Sequence, residues 1–463
     1  MRLTTLDFAE RIESGVPQLL QMSAQEKLDA FDAGSKYLDS PKAQPVREAI
    51  SEALIKMGYG EYSARLDPQM LIDFLSRQSL EMVVDNRAAL PGGRDLLDGE
   101  TVPIGYDVTL AAFPVGPVVV IGSGNSLVPG LVAAVEALLA NCPVALRGSR
   151  VNREALEMAI SALRSAGNST LTALLEHLHL FFLDHRVPGE AEQLYRLLRI
   201  GPFAAGCFWG GREALDRLIA EFGQNPRHPV VIAMEPLTGV AVISQRHLDA
   251  PSSAPVQSIA RGLAEAVLVM GQQLCSSPTE AYFVGRREQA ESFGSAVARE
   301  LAGIAPRHAR AVSDAYAIRL DRLRERAAAE GATVIGPAHD APDWTLLISD
   351  QKSVSGALSA DLTVGVHDRT GFLEIITVPD IAAAAAAIHA LPSQPTHGEV
   401  GQVQTVLRLI EKDEARELVG HLRATGGGVY RVVPSEYVAR RHPHEPLDGQ
   451  HLVSLLTRQV VIL

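Results

Sequence analysis

The stretch Gly271-Gln272-Gln273-Leu274-Cys275-Ser276-Ser277-Pro278 places one thiol among polar neighbours. It closes an amphipathic run, Ala254 to Met270, and opens onto the apolar segment Ala281-Tyr282-Phe283-Val284. That pattern predicts a helix delivering Cys275 into a tight turn, with a strand carrying the chain away. A thiolate is a strong nucleophile, and a turn of backbone N–H groups helps a thiol to ionise. A lone cysteine can instead be a buried structural residue among apolar side chains. Here Gln272-Gln273 and Ser276-Ser277 bracket the sulfur with polar groups, so Cys275 is read as the reacting residue.

Other residues could serve such a nucleophile. The loop Gly122-Ser123-Gly124-Asn125-Ser126 follows an apolar run, but its next glycine is Gly130, so it is not a G-x-G-x-x-G phosphate cradle. Asn125 could donate to a developing oxyanion, a contribution of roughly 3–4 kcal/mol, or simply cap the helix expected from Val128. Glu235 follows a buried-looking strand, where a carboxylate with a raised pKa could act as a general base. Arg147, with Ser149 beside it, ends a strand and could bind a ribose or its phosphate. Trp209-Gly210-Gly211 ends another strand, and paired glycines let a ligand approach the backbone; a plain turn with Trp209 in the core is the alternative. Glu374 lies within the apolar run Phe372 to Val378, where an unpaired charge is costly. It must either stand at an open strand end or bind something, such as a ribose hydroxyl.

The elements that position these residues alternate between strand and helix. Residues 1 to about 90 read as a helical lead-in, with one helix from Val46 to Met57 and another from Asp67 to about Val84. A weakly alternating stretch from Val102 to Phe113 fits an edge strand or hairpin. From Val115, continuous apolar runs such as Pro117 to Ile121 and Val144 to Arg147 alternate with helical patterns, predicting a mainly parallel sheet covered on both faces. Ligands of such sheets bind at the carboxyl ends of the strands. A first domain is expected over residues 1–247 and a second, carrying Cys275, over 248–428. Gly426-Gly427-Gly428 then reads as a boundary or hinge before a tail, 429–463, that ends in an apolar strand from Val453 to Leu463. A terminal strand of that kind must pair with another domain or another subunit.

Composition narrows the function. The 463 residues have a net charge of −12 and a pI of about 5.6, which argues against a nucleic-acid binder. Cys142, Cys207 and Cys275 have no metal-ligand or disulfide spacing and suit a reducing compartment. The first residues lack the apolar core of a signal peptide. The longest apolar run, Ile381 to Ile388, is far short of the ~20 residues of a membrane span. A cytoplasmic protein is expected.

The ordered set resembles the aldehyde dehydrogenase superfamily, and within it the acyl-CoA reductase (LuxC-like) branch. The matching pieces are Gly124-Asn125, Trp209-Gly210-Gly211, the Gly271-to-Pro278 turn, Gln404-Thr405-Val406, Gly428 to Val433 and Leu447-Asp448-Gly449, spread over about residues 100 to 463. The resemblance implies two Rossmann-like α/β domains facing a cleft. It implies that Cys275 attacks an acyl thioester, on coenzyme A or a carrier protein, and expels coenzyme A. Asn125 and the Cys275 backbone N–H would hold the oxyanion, and a nicotinamide hydride would reduce the acyl-enzyme to an aldehyde. Glu374 matches the family glutamate on the nicotinamide ribose. Arg147 stands where the family has an adenosine-ribose lysine, which favours NADPH over NADH. Glu235-Pro236-Leu237-Thr238-Gly239 departs from the dehydrogenase pattern Glu-Leu-Gly-Gly-Lys, leaving the role of Glu235 open. A homodimer is expected. Two other functions stay open at this point: an aldehyde dehydrogenase forming acids, and a non-catalytic scaffold subunit.

Overall fold

The structure is a computed structural model that describes residues 5–87, 89–105, 107–184, 186–235, 237–308, 314–337, 344–350, 370–391, 402–442 and 445–462. The chain divides into two compact units. One comprises Met1–Met57, Ala64–Glu235 and His442–Leu463, and the other Gly58–Ser63 and Pro236–Arg441. Residues 1–4, Pro236 and Leu463, on which expectations about the amino terminus, the Glu235 segment and the terminal strand partly rest, lie outside the described residues.

The first unit is built on a five-stranded parallel sheet of β3 (Val118–Ile121), β4 (Val144–Arg147), β5 (Leu178–Phe181), β6 (Ala205–Trp209) and β7 (Val230–Met234), in the order β5-β4-β3-β6-β7. All four residues of β3 are buried, as its apolar run requires of a central strand covered on both faces. Val119, Ile121 and Ala145 pack with Ile12, Leu194, Leu215 and Phe222. Leu146, the alternate residue, meets Gly130 of the helix Val128–Leu139 on the opposite face. Chain order reverses between β3 and β6, so the loops that follow these two strands flank a topological switch point.

The helical lead-in is present as Thr5–Leu19, Ala24–Asp39, Gln44–Lys56, Glu61–Leu75 and Arg77–Val84. The single helix expected from Asp67 to Val84 is two helices. Ser76 is extended and caps the second of them, accepting from the Ser79 N–H. A smaller antiparallel sheet joins β1 (Val102–Gly105) and β2 (Val108–Pro114), the expected hairpin, to β15 (Thr457–Ile462). The terminal strand therefore pairs with β2, from Thr457 opposite Pro114 to Ile462 opposite Thr109. A short helix, Leu452–Leu455, occupies the start of the stretch expected to be strand.

The second unit is a seven-stranded sheet of β8 (Leu237–Ser244), β9 (Pro278–Val284), β10 (Thr333–Ile335), β11 (Thr345–Ser349), β12 (Phe372–Val378), β13 (Gln402–Leu409) and β14 (Val429–Val433). Their order is β10-β11-β12-β9-β8-β13-β14, parallel except for β10. Ala241, Ile243, Ala281 and Phe283 face a core shared with the helices Val256–Leu268 and Arg287–His308. Val240, Val242 and Tyr282 face the helices Ile381–Ala390 and Lys412–Ala424. The alanine-rich run is thus a capped helix with Ala384, Ala385 and Ile388 buried, and the Asp380 carboxylate accepts from the Ala383 N–H at 2.8 Å. Among the described residues no helix is long and apolar enough to cross a membrane.

Three expected divisions fall elsewhere. The first unit ends at Glu235, not at residue 247, because β8 is a central strand of the second sheet and is buried at all eight positions. Gly426-Gly427-Gly428 is a turn and no domain boundary: Gly426 has φ 70° after the helix Lys412–Ala424, and β14 then pairs with β13. The expected tail is divided between the units after Arg441.

Buried polar groups fix the lead-in to the first unit's sheet. Lys27 Nζ, fully buried, donates to Asn141 Oδ1, while Asn141 Nδ2 donates to the Leu97 carbonyl at 2.9 Å. Asp67, buried in the helix Glu61–Leu75, accepts the Ser126 hydroxyl and the Leu127 N–H, the latter at 3.0 Å. Burial pushes the Asp67 carboxyl up to about 6 from 3.8, against the opposing pull of those two donors. A carboxyl whose folded value is raised binds more protons folded than unfolded, so its ionisation costs stability as pH rises from 3.8 to about 6. Across that window the wild type is expected to lose about 3 kcal/mol relative to Asp67→Asn. Paired melting curves at several pH values read this as a fall of the wild-type midpoint relative to that of the variant as pH rises; a constant difference would contradict it.

Candidate active site

Cys275 sits in a turn that the chain reaches through strained backbone. The helix Val256–Leu268 gives way to Met270, Gly271 and Gln272 with φ of 52°, 58° and 61°, a left-handed run that only the glycine adopts readily. Neighbouring bonds hold it in place. The Met270 N–H donates to Ser63 Oγ at 2.8 Å. The Gln272 amide accepts from the Phe372 N–H at 2.8 Å and donates to the carbonyls of Phe372 and Pro278 at 2.5 and 2.9 Å. Gln272 therefore clamps the amino ends of β9 and β12, and its polarity is structural. Cys275 itself is half-buried, whereas Cys142 and Cys207 are fully buried. Burial pushes both of those thiols up, Cys142 to about 12.

The turn lies against a glycine. A Cβ at Gly239 of β8 would overlap the Ser276 carbonyl. Gly239 pairs with Pro278 of β9 on one side and Thr405 of β13 on the other, and both ladders shift register there. The shift in β13 turns the Gln404 side chain to the sulfur: Gln404 Nε2 donates to Cys275 Sγ at 2.9 Å. In the sequence Gln404 is part of the signature Gln404-Thr405-Val406, and nothing local marks its side chain as a partner of Cys275. Cys275 thus stands at the amino edge of the second unit's sheet, not at the carboxyl ends expected of ligand sites in parallel sheets.

In the first unit the candidates do gather at carboxyl ends. Arg147 ends β4 opposite Ile121 of β3; it is buried, and its Nε donates to the Leu183 carbonyl at 2.8 Å. Burial lowers its pKa from the usual arginine value. Ser149 Oγ lies near Gly124, and Asn152 Nδ2 donates to the carbonyls of Ser123 and Ser126, both at 3.2 Å, tying the β4 loop to the β3 loop. Asn125 is half-buried in the β3 loop. The capping expected of it falls to Ser126 Oγ, which accepts from the Val128 N–H at 3.1 Å, and to Asp67. Trp209 ends β6 half-buried, followed by Gly210, where a Cβ would meet nothing nearer than Ala214 at 3.7 Å, and Gly211, which precedes the helix Arg212–Phe222.

Two glutamates differ from expectation. Glu235 is exposed, 3.4 Å from the Arg212 guanidinium, and follows an edge strand whose Val230 and Val231 are exposed. Its carboxylate therefore lies at the surface and not in the buried setting that the apolar run suggests. Glu374 is not at an open strand end but 1% exposed; Ser349 Oγ donates to its Oε1 at 2.7 Å. It pairs across the ladder with Glu280, also buried, whose Oε2 accepts the Tyr282 hydroxyl at 2.6 Å.

The family described as acyl-CoA reductase (LuxC) matches residues 20–459. No curated protein is matched. Among solved structures, an oxidoreductase from Marinobacter aquaeolei is similar at TM-score 0.73 and 13% identity, over 99% of this chain and 90% of that one. Aldehyde dehydrogenase 21 from Physcomitrella patens, solved with succinate, reaches 0.71 at 13% identity with the same coverages. An NADP-dependent glyceraldehyde-3-phosphate dehydrogenase from Bacillus halodurans, solved with NADP, reaches 0.70 at 15% identity, again over 99% and 90%. At such identities the likeness is one of fold, and the aldehyde-dehydrogenase-like α/β architecture expected above is borne out.

The burial of the three thiols gives an expected outcome. Iodoacetamide at neutral pH adds one group to the native protein, on Cys275, and three after denaturation, as read by intact mass and peptide mapping. First labelling at Cys142 or Cys207 would contradict the assignment.

Proposed function

The chain belongs to the acyl-CoA reductase (LuxC) family, and on that premise we propose that it reduces an acyl thioester to an aldehyde through an acyl group carried on Cys275, with NADPH as reductant. The observation that carries this reading is the Cys275 sulfur, half-buried at the strained turn with a buried amide donating to it. Its thiolate adds to the thioester carbonyl. The bond from that carbon to coenzyme A breaks, and coenzyme A departs as a thiolate that takes a proton from solvent. The acyl group is then held on Cys275 Sγ. A reduced nicotinamide, when bound, supplies the hydride. Collapse of the resulting hemithioacetal re-forms the carbonyl, breaks its bond to Sγ and returns the thiolate to Cys275.

The first unit suits a dinucleotide. Its sheet has a switch point between β3 and β6, and Gly210 leaves room for a ligand to approach the backbone. The start of the helix Val128–Leu139 is already taken by the Asp67 carboxylate, so the phosphates would fall to the β4 and β6 loops: Arg147, Ser149, Trp209, Gly210 and Gly211. A guanidinium at 147 favours the 2′-phosphate of NADPH. Glu374 is given the ribose role, with Ser349 Oγ donating to its Oε1. Asn125 is assigned the oxyanion-donor role, the capping of its neighbouring helix being carried by other groups. Reduction is favoured over hydrolysis to an acid because Glu235 is exposed and ion-paired. The exposed apolar edge of β15, with Val460, Val461 and Ile462, supports a homodimer.

Turnover tests the reading. With acyl-CoA and NADPH, the wild type forms aldehyde and free coenzyme A in equal amounts, and Cys275→Ala is at least about a thousandfold slower. Equal rates in the two proteins would exclude the covalent route.

A further inference from the structure

Gln404 has an amide buried against the nucleophile, and a side chain in that place has to be explained by something other than solvent contact. It is 1% exposed. A buried amide costs free energy unless its donors and acceptor are bonded. Its Oε1 accepts the Thr405 hydroxyl at 3.2 Å, which leaves Nε2 directed at Cys275 Sγ, 2.9 Å away. A neutral thiol is a weak acceptor, whereas a thiolate is a strong one. The donor is therefore matched to the charged form of the sulfur.

The backbone places it there by a specific device. Where β8 advances one residue, from Thr238 to Gly239, β13 advances two, from Val403 to Thr405, so Gln404 is the extra residue of a bulge. On the other edge of β8, the step from Gly239 to Val240 faces two residues of β9, from Pro278 to Glu280. Two bulges meet at the glycine on which the Ser276 carbonyl rests. Bulges re-aim side chains beside active sites, and this one aims an amide at a sulfur. By contrast the amide of Gln272, in the turn itself, is spent on Phe372 and Pro278.

We propose that Gln404 is a further catalytic residue, whose Nε2–H bears on the negative charge of the Cys275 sulfur before attack and again as that sulfur leaves the hemithioacetal. The inference rests on the reading of Cys275 as the acyl acceptor. During acylation the sulfur lone pair forms the new bond to carbon and the hydrogen bond weakens. During collapse the electron pair of the carbon–sulfur bond returns to sulfur, where the same N–H meets it. No proton changes hands between Gln404 and Cys275.

The test is the pH dependence of Cys275 alkylation by iodoacetamide in the full-length protein, without nucleotide or thioester. Gln404→Met keeps the length of the side chain and removes the donor. Its alkylation midpoint is expected to rise by about one pH unit. Its rate well above both midpoints should equal the wild-type rate, which shows an intact turn. Gln404→Glu puts an acceptor in the same space and is expected to raise the midpoint further. Reductase turnover of Gln404→Met should fall about tenfold or more in kcat, with KM for acyl-CoA within about twofold. An unchanged midpoint in Gln404→Met overturns the proposal. If that variant is misfolded, an unchanged or lowered midpoint in Gln404→Glu does so. A midpoint that moves in a protein forming no acyl adduct supports the hydrogen bond and defeats the reductase reading. An adduct with an unmoved midpoint defeats only the Gln404 assignment.

Discussion

A single close approach organises the chemistry of the second unit: the Ser276 carbonyl rests on Gly239, where no side chain fits. Because β8 carries only a hydrogen at that point, the turn holding Cys275 can press onto the sheet, and the strands on both sides bulge around it. The backbone entering the turn is unfavourable by itself. Left-handed φ values at Met270 and Gln272 cost of order 1–3 kcal/mol each. They persist because the Gln272 amide makes three hydrogen bonds to the starts of β9 and β12, and Ser63 anchors Met270. The strain and the clamp together hold one sulfur half-exposed beside a buried donor.

The candidate residues lie at opposite strand ends in the two sheets. In the first, Arg147, Ser149, Trp209, Gly210, Gly211 and Asn125 lie at or just beyond the carboxyl ends of parallel strands. In the second, Cys275 precedes β9, and Gly239 and Gln404 lie near the starts of β8 and β13. The reason is the route of the chain. The helix Val256–Leu268 hands the turn to the beginning of a strand, whereas a β–α loop would have placed it at the end.

What could be read along the chain was whatever local sequence determines. The helix–turn–strand around Cys275, the apolar strands β3 and β4 and the hairpin at β1–β2 all emerge from composition and periodicity over a few residues. The allocation of β8 did not, because strand–helix alternation runs on without a break and membership of a sheet depends on partners distant in sequence, such as Gln402 beside Leu237. The exposure of Glu235 is hidden for a similar reason: an apolar strand looks buried, but β7 is an edge. The cost of burying Glu374 is legible in its apolar run, whereas its partner Ser349 is out of sight of local sequence. The placement of Gln404 beside Cys275 is invisible in the sequence because a bulge is a register difference between two strands, and no single strand encodes it.

The central claim is that the Cys275 sulfur accepts an acyl group, and mixing the full-length protein with acyl-CoA in the absence of any nucleotide tests it most directly. Intact-mass spectrometry should then show the mass of one acyl group gained per chain, one equivalent of coenzyme A released, and the adduct mapped to the Cys275 peptide and missing from Cys275→Ala. An unmodified wild-type chain across short and long acyl-CoAs, or an adduct that survives in Cys275→Ala, would contradict the account.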